Sequence, residues 1–107
     1  MQARVWAFLA GCLCIGLVEP AAAARGTVIW KHQNCAFFIL QTARDYALLE
    51  WLAGALPQVG DDIDGDFRGK GTLEFHNRTA DLPLTALVAA RSQRRADVEK
   101  SIPPRCN

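Results

Sequence analysis

Cys35-Ala36-Phe37-Phe38-Ile39-Leu40-Gln41-Thr42-Ala43-Arg44-Asp45-Tyr46-Ala47-Leu48-Leu49-Glu50-Trp51-Leu52 holds two apolar runs on either side of a polar break. How this stretch winds sorts the chain between two fold classes. A break of this kind suits a β-hairpin turning near Ala43-Arg44-Asp45, although Asp is a weaker turn former here than Asn-Gly. A helix is the competing reading, since Ala, Leu, Gln and Glu are good helix formers. A membrane span is disfavoured by Arg44, Asp45 and Glu50. Phe37, Phe38 and Ile39 are consecutive, so a strand carrying them presents bulky apolar groups on both faces. That arrangement fits a strand covered on both sides, as where a small barrel is plugged by another element.

Working outward, residues 27–33 are rich in β-branched and aromatic side chains and form one strand's length ahead of the hairpin. Beyond it, Gly54 and Pro57 punctuate the chain and Gly60 opens the next block. Residues 62–67 and 72–76 alternate polar and apolar, each as a strand with one wet face, with Arg68-Gly69-Lys70-Gly71 as the turn between them. Residues 77–81 read as loop and 84–90 as a sixth strand. Ser92 is a fair N-cap for a terminal helix with Val98 and Ile102 on one side, stopped by Pro103-Pro104. Five or six short strands with one C-terminal helix predict a mainly β protein: an OB-like or SH3-like barrel, the helix across one end. A compact α+β sheet is the alternative.

The first residues read as an address. Arg4 precedes an apolar run over 5–18, Glu19-Pro20 break it, and Ala22 and Ala24 supply small side chains before Arg25. This is the order of a secretory signal peptide cut between Ala24 and Arg25. It divides the chain into a leader, 1–24, and one small β-rich domain, 25–107. The 14 apolar positions fall short of the roughly 20 needed to span a bilayer, so no stable membrane span is expected after cleavage. Leu9-Ala10-Gly11-Cys12 resembles a bacterial lipobox, and lipid anchoring through Cys12 is the alternative. With Cys12 and Cys14 removed, Cys35 and Cys106 remain near the two ends of the mature chain. In an oxidising compartment, periplasmic or extracellular, such a pair predicts a disulfide.

The leader carries one base and one acid, so trimming leaves the formal charge at +1. So balanced a chain argues against binding a polyanion by bulk electrostatics, and nucleic acid is not a favoured partner. Asp61, Asp62, Asp64 and Asp66 invite comparison with an EF-hand, but Phe67 and Leu73 stand where that loop requires Gly and Glu. No C-x-x-C is present, and His32 and His76 lack ligand spacing to either cysteine, so neither a metal nor a cofactor is expected. Neither histidine has a nucleophile nearby in sequence, and no catalytic residue is assigned. Asn77-Arg78-Thr79 has N-glycosylation spacing but reads better as a turn in a bacterial product. Arg91, Arg94, Arg95, Lys100 and Arg105 make the C-terminus locally basic. Trp30, Tyr46 and Trp51 could add stacking surfaces. Trp30, Trp51, Arg94 and Arg95 are therefore the candidate ligand-binding residues of an OB-like binder of oligosaccharide or single-stranded nucleic acid.

The 35–51 segment, followed by Gly60-Asp61 and by Asp64-Gly65-Asp66-Phe67, resembles small exported bacterial proteins of unassigned activity. The likeness covers residues 27–79 and part of the terminal helix. It implies an exported location and a barrel-like fold, and carries no catalytic residue across. The expectation is a non-enzymatic, disulfide-stabilised interaction module of the bacterial envelope, with an envelope protein among its partners.

Overall fold

The structure, a computed structural model, describes residues 24–69 and 71–106. Residues 1–23, which hold most of the expected signal peptide with Cys12 and Cys14, lie outside the described residues. Among those described, six strands close into a barrel: β1 (Ala24–Lys31), β2 (Phe37–Thr42), β3 (Tyr46–Gly54), β4 (Asp62–Gly65), β5 (Thr72–Asn77) and β6 (Leu82–Ser92). Their order around the wall is β1-β2-β3-β6-β5-β4, with β4 returning to β1. All six pairings are antiparallel. Two three-stranded meanders thus face each other and seal along β1/β4 and β3/β6, and closure removes the exposed sheet edges.

The hairpin reading of residues 35–52 holds, and the reason lies in the two faces of β2 and β3. Phe38, Leu40, Ala47 and Leu49 point into the barrel, where they pack with Val28, Ile63, Phe67, Phe75, Leu84 and Ala86. Phe37, Ile39 and Leu48 point outward and are just as buried, under Val98 and Cys106. A helix would have left part of this apolar set in water. The outer cover is a short helix, α1 (Arg95–Lys100), followed by a 3-10 turn (Pro104–Cys106). The helix therefore lies against the outside of the wall, over β3 and β6, and does not cross one end.

Several boundaries differ from the sequence reading. β1 starts earlier and stops at Lys31, and a register shift between Val28 and Trp30 marks a bulge at Ile29. That extra residue sends both Ile29 and Trp30 to the outer cluster. Cys35 precedes β2 instead of belonging to it. β4 ends at Gly65, because Phe67 turns in to stack on Phe75 with centroids 5.4 Å apart. β6 extends over Leu82–Ser92. The N-cap of α1 is Arg94, whose side chain makes no capping bond. Ser92 is displaced to the strand end, yet its hydroxyl still accepts from Arg94 N (3.1 Å) and donates to the Asp97 carboxylate (2.8 Å).

The cysteines meet where the C-terminal 3-10 turn reaches the β1–β2 connection. Cys35 and Cys106 form a disulfide, with Cα atoms 5.4 Å apart and a sequence separation of 71. The bond ties the 3-10 turn to the β1–β2 connection and locks α1 onto the wall.

Candidate functional site

Antiparallel pairing brings distant residues to one mouth of the barrel. Ala24 of β1 lies across from Gly65 of β4, Gln41 of β2 across from Tyr46 of β3, and Tyr46 across from Ser92 of β6. The β2–β3 turn, the start of β1, the segment after β4 and the end of β6 thus share this mouth. They enclose a cleft of about 420 Å³ lined by Ala24, Arg25, Thr42, Ala43, Arg44, Asp45, Asp66, Phe67, Arg68 and Arg91. Four guanidinium groups against two carboxylates leave the lining with a formal charge of +2.

The β2–β3 turn is rigid for local reasons. Thr42 Oγ1 accepts from Arg44 N (3.2 Å) and Asp45 N (3.0 Å) and donates to Asp45 Oδ1 (2.7 Å). Thr42 N donates to Asp45 O at 2.9 Å, closing the turn. A threonine that satisfies the turn's amides holds its tip, Arg44, in place. Asp45 Oδ2 in turn accepts from Arg91 Nε at 3.1 Å and from Arg91 Nη2. The Asp45 side chain is only 13% exposed and that of Arg91 35%, so this pair is the sheltered one. Arg25 and Arg68 pair with Asp64 (3.4 Å) and Asp66 (3.5 Å) from exposed positions. Arg44 makes no ion pair among the described residues.

The other side of the mouth is set by the segment after β4. Asp66 Oδ1 accepts from Arg68 N at 3.0 Å, and Asp66 O accepts from Gly69 N at 3.2 Å. Between them Phe67, 2% exposed, drops into the barrel and forms the apolar floor of the cleft.

The residues marked out by sequence scatter. Trp30 packs on the outer cluster and Trp51 on the barrel interior, so the two rings lie on opposite sides of the wall. The Trp51 indole N–H is buried with no acceptor among the described residues. Tyr46 packs on the outer cluster. Arg94 and Arg95 sit at the start of α1, pair with Asp97 and Glu99, and do not line the cleft. Arg105 lies over the Phe37 ring at 5.9 Å.

His32 Nδ1 accepts from Asn34 N at 3.2 Å, and His76 Nε2 lies 3.0 Å from Asp81 Oδ1. The two occupy strands that are not neighbours, or the loops beside them. The four acids are spoken for separately. Asp61 accepts from Gln58 N and the Asn77 amide, Asp62 from the Thr27 hydroxyl, Asp64 pairs with Arg25 and Arg78, and Asp66 with Arg68. Asn77 is fully buried, and its Oδ1 accepts from Ala80 N. The amide nitrogen that a glycan would need is thus engaged on Asp61.

Sequence reasoning missed Arg44 and Arg68, treated Arg25 only as a cleavage position, and saw Arg91 only as one of a basic run. One signal was available. If alternate strands are followed up and down from the hairpin, each of these arginines falls at or beside a strand end on the same side of the sheet. No family model matches the chain, and no curated protein or solved structure matches it either.

Proposed function

We propose that this chain is an exported, disulfide-stabilised binding module, without a catalytic centre of its own, that takes its ligand at the arginine-lined mouth of the barrel. The cleft is the observation that carries this reading. It combines a small-molecule-sized volume, an apolar floor at Phe67 and convergent cationic donors held by strand ends and a braced turn. Concave sites with a few well-placed polar groups on a rigid scaffold are where small ligands bind. Export is supported by the Cys35–Cys106 bond, a feature of oxidising compartments, and by the order of charge, apolar run and small residues ahead of Arg25. The likeness to small exported bacterial proteins points the same way, to the periplasm or the exterior.

Isotope-labelled oxidised protein titrated with an extract of the envelope tests the binding site. The expected result is movement of the backbone resonances of residues 42–45 and 66–68. Unmoved resonances there, with shifts confined to α1 or to the opposite mouth, would remove the cleft from consideration. For export, the intact mass of the secreted product should begin at Arg25. A product that retains Met1, or that carries an acyl group on Cys12, contradicts the soluble exported form.

A further inference from the structure

Resting on the reading of the mouth as a binding site, we infer that its ligand is a small dianion, a phosphate monoester or a dicarboxylate, gripped by Arg44 and Arg91. Charge gives the class. The lining keeps a formal +2 after its own two carboxylates are counted, and a ligand of matching charge neutralises it. A neutral sugar leaves that net positive charge uncompensated. An extended polyanion needs a long basic track, whereas the cationic groups here converge on one mouth of a chain whose overall charge is +1.

Size narrows the class further. A volume of about 420 Å³ lies within the range of small-molecule sites, roughly 300–1,000 Å³. The buried Phe67 floor excludes water on one side, which strengthens any charge contact made above it.

Two arginines differ in how they are held, and the difference assigns their roles. Arg91 has Nε and Nη2 engaged on Asp45 Oδ2, and Asp45 is itself fixed by Thr42. A guanidinium carries five N–H donors in a rigid plane. With one edge bound to Asp45, Arg91 keeps its remaining donors in a fixed orientation for an oxyanion. Arg44, on the tip of the braced turn and without an ion pair among the described residues, supplies the second half of the grip. Phosphate and carboxylate both match a guanidinium bidentately, so the two share one recognition chemistry.

Calorimetric titration of the oxidised product beginning at Arg25 with glycerol phosphate, inorganic phosphate and succinate, with glycerol as the neutral control, tests this at low salt and pH near 7.5. Saturable binding of at least one dianion is expected, weakening as salt is raised, with glycerol silent. The phosphate and succinate arms tell a single tetrahedral group from two separated carboxylates. Arg44→Ala should weaken binding by about tenfold or more, with Arg44→Lys between it and the parent. Arg91→Gln should weaken it at least as much. Arg44 is an exposed turn residue, so its variant keeps the fold and the test stands even if Arg91→Gln disturbs the turn. Arg94→Ala/Arg95→Ala should bind like the parent. Absence of saturable binding below about 10 mM, or binding undiminished by Arg44→Ala, overturns the inference. If envelope extract still moves residues 42–45 and 66–68 while every dianion fails, the binding reading survives and only the ligand class falls.

Discussion

At Gly54 φ is +86°, and a Cβ there would stand 2.6 Å from the Pro83 carbonyl oxygen and 2.8 Å from Leu84 Cα. Backbone on the neighbouring strand cannot move aside as a side chain can. Gly54→Ala should therefore destabilise the fold by about 1–3 kcal/mol, read from the midpoint of denaturant unfolding. Gly65 is glycine for a different reason: its Cβ would meet the Phe75 ring at 2.1 Å, the ring that stacks on Phe67 beneath the cleft. Asn77 shows a third kind of constraint. Fully buried, it donates to Asp61 and accepts from Ala80 N. Asn77→Ala leaves those partners unmatched and should cost about 1–3 kcal/mol, again by denaturant midpoint. By contrast, the exposed pairs Arg94–Asp97 and Arg95–Glu99 should add little, and alanine at either arginine should shift stability by less than about 1 kcal/mol.

Among the elements, β2 and β3 carry the fold because both of their faces are buried. Their inner residues fill the barrel and their outer residues need α1. The helix has only six residues and an N-cap without a side-chain bond. So short a helix is held by packing, not by its own propensity. Val98 is its single fully buried residue. Val98→Ala should cost about 2 kcal/mol and raise amide exchange through α1 and the 3-10 turn, while the inner strands keep their protection. An equal loss of protection at Leu40 and Leu49 would show that helix and barrel do not separate in this way. The hairpin was legible in residues 35–52, since no single-faced element could hide Phe37 through Leu40. The outward course of Trp30 was not, because a bulge at Ile29 changes the side of the wall without leaving a mark in the periodicity.

For the molecule as a whole, closure and cross-linking act together. A barrel sealed along β1/β4 and β3/β6 joins strands far apart in sequence, and the Cys35–Cys106 bond shortens the unfolded chain across the same span. The chain-entropy view assigns about 4 kcal/mol to a closed loop of this length, a large share of what a domain this small can hold. Cys35→Ser/Cys106→Ser, or reduction, should lower the thermal midpoint by about 15 °C or more. Scanning calorimetry with and without reductant checks it, and a shift of only a few degrees would place the stability in the barrel alone. Non-reducing mass two hydrogens below the reduced mass reports the bond itself.

Local chemistry in the sequence determined the strand count, the hairpin, the cysteine pairing and the terminal helix. Alternation, turn residues and, under the signal-peptide reading, the two cysteines that remain are all read within short windows or by counting. Only the tertiary structure decided which wall the helix covers, which side Trp30 and Trp51 take, and that Arg25, Arg44, Arg68 and Arg91 share one mouth. Those outcomes follow from register and closure. A bulge of one residue exchanges the faces of a strand, and sealing β4 onto β1 joins arginines that no spacing along the chain connects.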